Sequence, residues 1–578
     1  MAPKIKRISA KTVGEAVGHI LPYLEDTTSS TRYNNIYYDG FPGLGNSAVL
    51  KCIAQEPPPT LMKKFGKIVH VDCSRWKSRR ELQRTIAQQV QLPQGVMDIF
   101  DGKDEEDDFR GLDESSRAEI GDVSREILLS LLDNKCLVVF HNGCNDIVEL
   151  NDFGIPPAWF GTKVLWTGTG KPWRDPFPYI DSYEKLDASH LYINNSLSNV
   201  DEWKCLLQEE AREIARHTCK LGVTSEIAME CCLYLLSMMK HGYSRKMDWD
   251  IHASNYLVCD GVIPLPAGCQ FDDQAWEVAA ALHQYMGIQK AEMGVTRHDA
   301  LMTSQKRWIC SIIHYTTTTM EANVTVPQEA TSFLFVKPYL PLATLPNNGM
   351  FHQSAIMLRV LRLYGCTFSF SSPPFHCCRG LRFLGLRLCM DQPQGIDEEK
   401  DRVQKEVGFF QSLWVVDTRK TDWAPPEITE EMDTNIREIH IKKARFWLHN
   451  FPWGQLHNLR KLRVIKPANP LEMHVLPRLP RLNTLILYGC VGLENVTGLP
   501  PSLETFSFSV RHDAGRRDAA KITRISMPGC ARMVDFTLRG SLPNLKQLNL
   551  SGTSIKTLDL SDHVVQAPRL ERVILWMS

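Results

Sequence analysis

Leu358-Arg359-Val360-Leu361-Arg362-Leu363-Tyr364-Gly365-Cys366 is answered 23 residues later by Leu381-Arg382-Phe383-Leu384-Gly385-Leu386-Arg387-Leu388-Cys389. Both stretches keep leucine at the first, fourth and sixth places and cysteine at the ninth. The L-x-x-L-x-L pattern returns at Leu413, Ile436, Leu459, Leu482, Leu503, Ile522, Leu545 and Leu570, at steps of 32, 23, 23, 23, 21, 19, 23 and 25. Alternating apolar residues over so short a run specify a strand with one buried face. One such strand cannot close a core, so stacked copies must share it, and the period matters more than any one leucine.

Periods of this length belong to leucine-rich-repeat arrays. The residues between the pattern leucines then line the concave face, where solenoids commonly bind partners. There the copies present Arg362, Arg387, Arg419, Lys442, Lys461 and Arg463 against Asp417 and Glu438, so this face is expected to be locally positive. Tyr364, Tyr488 and Trp576 occupy equivalent outward places and are candidate contact anchors. The last copy runs into Ser578 without a polar capping repeat, which points to a truncated array or an atypical cap.

Outside the repeats, 578 residues allow three to four domains. Lys plus Arg and Asp plus Glu are 66 each, so no overall field draws the chain to nucleic acid or an anionic membrane. With 43% hydrophobic and 23% charged residues the composition is that of a globular protein. The 17 cysteines contain no CxxC, and Cys136, His141 and Cys144 lack a second half of zinc-like spacing; they read as reduced thiols, with no metal expected. The apolar stretch after the basic Met1 to Arg7 is broken by His19 and Pro22, too weak for a signal peptide, and no run of 18 apolar residues follows. The expected location is the cytoplasm, with or without the nucleus, and no membrane span is expected.

The first third alternates strands and helices, the pattern of a parallel α/β sheet. Ile36-Tyr37-Tyr38 leads into Gly40-Phe41-Pro42-Gly43-Leu44-Gly45-Asn46-Ser47 and then Ala48, Val49, Cys52 and Ile53 at helical spacing. Strand, glycine loop and helix are the context of a phosphate loop: Gly40, Gly43 and Gly45 would let backbone N–H groups curl around a phosphate, and Ser47 sits where a hydroxyl reaches magnesium. The lysine of such loops is replaced by Asn46, which brings no positive charge. Ser78 and Glu81 form a capping box before a helix carrying Leu82, Ile86 and Val90. The apolar strand Cys136 to Phe140 delivers His141-Asn142 where a phosphate-loop ATPase delivers an acidic residue.

In the order of these motifs, residues 36 to 578 resemble the plant intracellular immune receptors that join a nucleotide-binding NB-ARC module to leucine-rich repeats. Phe153-Gly154-Ile155-Pro156 and Gly161-Thr162-Lys163-Val164 are similar to that family's segments after its second nucleotide motif. Glu230-Cys231-Cys232-Leu233-Tyr234-Leu235 resembles the opening of its winged-helix subdomain, and Arg297-His298-Asp299 its Met-His-Asp, whose histidine approaches the ADP phosphate. The resemblance implies a phosphate-loop NTPase-like parallel sheet, helical and winged-helix subdomains, and a repeat solenoid. Its boundaries are a short segment 1–35, a nucleotide core 36–175, a helical subdomain 176–222, a winged helix 223–325 and repeats 326–578. Gly40, Gly43, Gly45, Asn46, Ser47 and His298 become the candidate nucleotide contacts.

Departures from the family bear on mechanism. Members that cycle ADP for ATP carry lysine at 46, aspartates at 141 and 142, an arginine near 169 and a Gly-Leu-Pro-Leu run near 221 to 225; here stand Asn46, His141-Asn142, Thr169 and Leu221-Gly222-Val223-Thr224-Ser225. Phosphoryl transfer rests on positioning and electrostatics, so losing those charges predicts no useful ATPase and, at most, weak ADP binding. The competing reading of His298-Asp299 is the start of a capped helix. Thr12 to Leu24 is expected to form one or two amphipathic turns, interrupted by Gly14, Gly18 and Pro22, and not a signalling bundle. The run Asp104 to Asp108 reads as a solvated loop; a sharper reading docks it on the positive early repeats. Two function classes follow: a receptor-like sensor, decoy or modulator whose repeats meet a pathogen effector, a host protein or complete receptors of the same family, and an ATP/ADP-operated switch. The charge losses favour the first.

Overall fold

The computed structural model describes, apart from a few interior positions, residues 5–26, 34–39, 46–73, 78–109, 117–142, 148–156, 162–168, 189–193, parts of 207–218, 223–239, 248–264, 273–285, 308–313, 326–337, 342–345, 349–392, 408–423, 434–444, 453–468, 476–510 and 520–575. The chain divides into two compact units, Met1–Gln305 and Lys306–Ser578. Among the described residues no helix is long and apolar enough to cross a membrane.

The first unit is built on six parallel strands: β1 (Ile5–Ile8), β2 (Asn35–Asp39), β3 (Lys67–Asp72), β4 (Cys136–Asn142), β5 (Thr162–Gly168) and β6 (Ser189–Ile193), in the spatial order β1-β6-β2-β5-β4-β3. Parallel strands need crossovers, here mostly helical, and their apolar runs are covered on both faces. One face, with Tyr37, Val69, Val71, Val138, Phe140, Val164 and Trp166, packs on the helices α4 (Arg79–Gln89), α5 (Gln94–Phe109) and α6 (Gly121–Leu132). The other, with Ile36, Tyr38, Leu137, Val139 and Leu165 buried, lies under α2 (Asn46–Gln55), against which α1 (Val13–Glu25) packs; α1 also packs on α3 (Pro59–Lys64).

The N-terminal segment differs from its reading. Residues 5–8 add an edge strand to the sheet, and α1 is a continuous helix of 13 residues through Gly14, Gly18 and Pro22. Its N-terminus is capped by Thr12, whose hydroxyl accepts from Glu15 N–H at 3.1 Å. Its last turn has no basic residue of its own. The carbonyls there are instead met from outside: Lys64 Nζ donates to Glu25 O at 2.6 Å, and Lys163 Nζ to the carbonyls of Tyr23, Leu24 and Asp26. Two borrowed cations thus complement the negative end of the helix dipole. Burial pushes the Lys163 ammonium down to about 8, partly opposed by Asp26.

The acidic run is also not a loop. Asp104 to Asp108 lie in α5, where three-residue spacing turns Asp101, Asp104 and Asp107 toward α4. Arg80 Nη1 reaches Asp104 at 2.9 Å and Asp107 at 2.6 Å; Arg84 meets Asp101 at 2.7 Å and Asp104 at 2.6 Å. Arginines too far away in sequence to be seen as partners make the run a helix interface. Ser78 caps α4 as read, its hydroxyl accepting from Glu81 N–H at 3.2 Å, with Leu82 and Ile86 buried.

Farther along the same unit, helix Trp249–Cys259 packs on Asp273–Tyr285 and on Ser225–Met239, and Trp276 Nε1 donates to Asn255 Oδ1 at 2.8 Å.

The second unit carries an eleven-stranded parallel sheet whose strands follow chain order: Trp308–Ile313, Ala330–Val336, Val360–Tyr364, Phe383–Arg387, Val415–Arg419, Glu438–Lys442, Lys461–Ile465, Thr484–Tyr488, Thr505–Ser509, Asp535–Ser541 and Val565–Gln566. The register sets each pattern leucine beside its copy: Leu361 on Leu384, Leu384 on Val416, Ile439 on Leu462, Leu462 on Leu485. These residues form one continuous buried core. The ladder begins earlier than the leucine pattern reveals. Trp308–Ile313, assigned by its sequence to a winged helix, pairs with Ala330–Val336 and belongs to this sheet.

The last copies are sorted differently from their spacing. Those at Ile522, Leu545 and Leu570 supply Arg524–Ser526, Gln547–Asn549 and Arg572–Ile574, which join Asn495–Val496 in a separate four-stranded sheet. The long ladder passes instead from Thr505–Ser509 to Asp535–Ser541. Here the chain alternates between the two sheets, and spacing alone merged their strands into one series.

Candidate functional site

The glycine loop follows β2, the strand at which the sheet changes direction. From β2 the chain crosses β5 and β4 to reach β3, and from β5 it crosses β2 in the opposite sense to reach β6. In open parallel sheets such a reversal opens a crevice at the carboxyl ends of the strands, the usual ligand position. Asn46 and Ser47 are the first two residues of α2, so the helix opens where the motif requires. Gly40, Gly43, Gly45 and His298 lie outside the described residues.

The strands around this edge are fixed by buried polar contacts. Trp166 Nε1 on β5 donates to Asn35 Oδ1 on β2 at 2.6 Å, and the Trp166 and Tyr37 rings lie 4.5 Å apart. One strand farther, His141, next to last in β4, lies directly beside Asp72 of β3, with Nδ1 at 3.2 Å from Asp72 Oδ1. Cys73 N–H donates to His141 O at 2.9 Å, holding the two strand ends in line. On the other side His141 is in register with Thr167 of β5, whose buried hydroxyl has no hydrogen-bond partner among the described residues. At the end of β4 the chain therefore carries an imidazole, 3% exposed, tied to a carboxylate from the neighbouring strand. Such a pair can hold and orient a proton, and neither His141 nor Asn142 supplies the carboxylate that would face a metal and water. Asp72 and Thr167 escaped the sequence reading; the signal was parity, since both lie in the last two residues of apolar strands at the same sheet edge as His141.

Phe153-Gly154-Ile155-Pro156 is a structural joint. Leu150–Phe153 is a 3-10 turn closed by Gly154 in the left-handed region at φ 81°, and a Cβ there would lie 2.0 Å from Ser124 O. Arg79 covers Phe153 at 5.0 Å and pairs with Asp152 at 2.6 Å.

On the repeats, the expected cations separate into two groups. Arg362 and Arg419 are buried and bracket the buried Asp417, Arg419 Nε at 2.7 Å and Arg362 Nη1 at 3.8 Å. Beside them His440 Nε2 lies 2.9 Å from Glu438 Oε2, and burial pushes the imidazole pKa below its usual value despite that carboxylate. Tyr364 is buried beneath Arg387, whose guanidinium lies 5.1 Å above its ring. The early strands therefore pair part of their positive charge internally, at Arg362–Asp417–Arg419, while Arg387, Arg419 and Lys442 stand in one row along the ladder. Of the residues that an acidic-to-basic docking would use, Asp104, Asp107, Arg362 and Arg419 each have an ion-pair partner within their own unit. Lys442 is exposed, while Arg387, Lys461, Arg463 and Tyr488 are partly exposed; Trp576 lies outside the described residues.

Among the described residues no three His, Cys, Asp or Glu side chains converge as a metal site requires. The described cysteines are free thiols; Cys366 and Cys389, one repeat apart, bring their sulfurs to 3.6 Å. The sequence matches no known family model. No characterised protein matches it either.

Proposed function

We propose that this chain is a receptor-like recognition protein of the plant disease-resistance type, in which a catalytically degenerate nucleotide module accompanies a leucine-rich-repeat solenoid that meets a protein partner. The carrying observation is the sheet edge around β2: the glycine loop leads into α2 at the reversal of strand order, and the acidic place at the end of β4 holds the His141–Asp72 pair. That topology supports descent from a phosphate-loop fold. The residues on it support loss of turnover, because Asn46 and His141 supply neither the cation nor the free carboxylate on which phosphoryl transfer depends. On this reading ADP is held weakly, through backbone N–H groups, Ser47 and His298, or not at all. The repeats carry recognition, through Arg387, Lys442, Lys461, Arg463 and Tyr488, of a pathogen effector, a host protein or a complete receptor, in the cytoplasm or nucleus.

The test is to purify the protein, denature it, chromatograph the supernatant for ADP and ATP, and assay ATP hydrolysis, repeating with Ser47→Ala and His298→Ala. The expected outcome is substoichiometric nucleotide and no turnover above background. Near-stoichiometric nucleotide that is lost on either substitution, together with measurable hydrolysis, would replace this reading with an ATP-operated switch.

A further inference from the structure

Six consecutive strands of the long ladder end in the same turn. The residue after each strand has a positive φ: Gly365 (74°), Leu388 (50°), Lys420 (48°), Lys443 (50°), Lys466 (47°) and Gly489 (64°). The N–H of each donates to the carbonyl of the last residue in the following strand, at 2.9, 2.9, 2.8, 2.9, 2.7 and 2.7 Å in that order. These are equivalent positions, and the register places their backbones side by side at the parallel-strand spacing of about 4.8 Å.

Glycine occupies the left-handed region without strain, and two of the six copies use it. Leu388 shows that the turn itself makes no demand for charge. Three adjacent copies nevertheless carry lysine, and each accepts the strain a side chain meets there. Lys420 and Lys443 are exposed, and Lys466, partly exposed, has its ammonium 5.8 Å from the centre of the Tyr488 ring. Among the described residues no carboxylate forms an ion pair with any of the three. Stacked at one strand spacing, the three like charges also repel one another. The exposed Lys442 extends the row at the strand end. Backbone strain, which Leu388 shares, and repulsion, which it does not, both fall on these three lysines, and neither is recovered within the described chain. Costs concentrated in this way mark a position kept for an external contact.

We propose that the Lys420–Lys443–Lys466 row is a docking surface for an extended acidic segment of a partner protein. Alternate side chains of an extended peptide are about 6.8 Å apart on one side, within reach of flexible lysine stems rooted at about 4.8 Å. A short row suits a short acidic segment. A nucleic acid would call on a broad positive field, which a chain with 66 basic and 66 acidic residues does not provide. The surface lies on the turns and not on the concave strand face, and the inference stands independently of the nucleotide module.

The test uses the full-length protein, a fluorescent synthetic peptide of alternating Glu and Ser, its Gln-for-Glu counterpart, and single-stranded oligothymidylate. Fluorescence anisotropy is measured at low and high salt for wild type, for the triple variant Lys420→Gly, Lys443→Gly, Lys466→Gly, and for the triple arginine variant. Glycine removes charge and strain together, so the glycine variant should melt no lower than wild type while losing about tenfold or more in affinity for the Glu peptide. The arginine variant should retain binding, and salt should weaken it. Equal binding of the Glu peptide by the glycine variant overturns the proposal. So does equal affinity for the Gln peptide, or tighter binding of oligothymidylate than of the Glu peptide.

Discussion

In the sheet of residues 5–193 only β4 lies between both of its neighbours in sequence, whereas in the long sheet of the second unit almost every strand does. The first arrangement makes each strand end unique. Asp72, His141 and Thr167 meet at one edge because crossovers carried three unrelated segments there. The second arrangement makes strand ends equivalent, so that a residue is judged against its own copies, as Lys443 is against Gly365 and Gly489. Chemistry that needs different groups at one point suits the first kind of sheet. A surface that needs the same group several times suits the second.

The largest expected effect compares one glycine from each sheet. A Cβ at Gly154 would lie 2.0 Å from Ser124 O, and one at Gly540 would lie 1.9 Å from Val510 O; both have positive φ. Each alanine substitution should cost about 3 kcal/mol or more locally, since neither backbone neighbour can yield cheaply. The reach should differ. Gly154→Ala should expose amides throughout β2 to β5, because that core folds as one body, whereas Gly540→Ala should expose the copies from about residue 505 onward and spare 360–442, because repeats couple only to neighbours. Hydrogen exchange read by mass spectrometry separates these outcomes. Loss of protection across 360–442 in the Gly540 variant would break the contrast.

A smaller effect is expected from polar specificity in the cores. Asn35→Leu leaves the buried Trp166 indole N–H without its acceptor and should cost about 2 kcal/mol in urea unfolding. In the long ladder, where pattern positions are filled by Leu, Ile, Val or Phe, Ile441→Leu should cost less than about 1.5 kcal/mol. Equal costs would mean that the two cores are equally tolerant.

The same contrast governs how much the sequence disclosed. The ladder was legible because Leu361, Leu384, Ile439 and Leu462 repeat a period that only one packing satisfies. The pattern failed at Ile522, Leu545 and Leu570, where strands of two different sheets share the same local code and only pairing tells them apart. Ile36-Tyr37-Tyr38 and Cys136 to Phe140 were readable as strands and Ser78 as a cap, since those signals are local. The partners of Arg80, Lys163, His141 and Arg362 were not, because their carboxylates and carbonyls come from segments whose proximity is decided by topology. A charge run reads as solvated until an arginine of another helix is known to face it.

The smallest expected effect is a pH response confined to the repeats. Burial lowers the pKa of His440 below its ordinary value of 6.5, while Glu438 and Asp417 raise it in part and Lys461 opposes them. Between the folded and the unfolded pKa the unfolded chain binds more protons, so the stability present above pH 6.5 is lost as pH falls. The melting temperature of the second unit should therefore decline from about pH 6.5 downward. His440→Gln keeps a polar group beside Glu438 without titrating, and should flatten that portion of the profile. An unchanged slope in the variant would assign the decline to the carboxylates. The Arg362–Asp417–Arg419 cluster, rather than the imidazole, would then be the pH-sensitive element of the ladder.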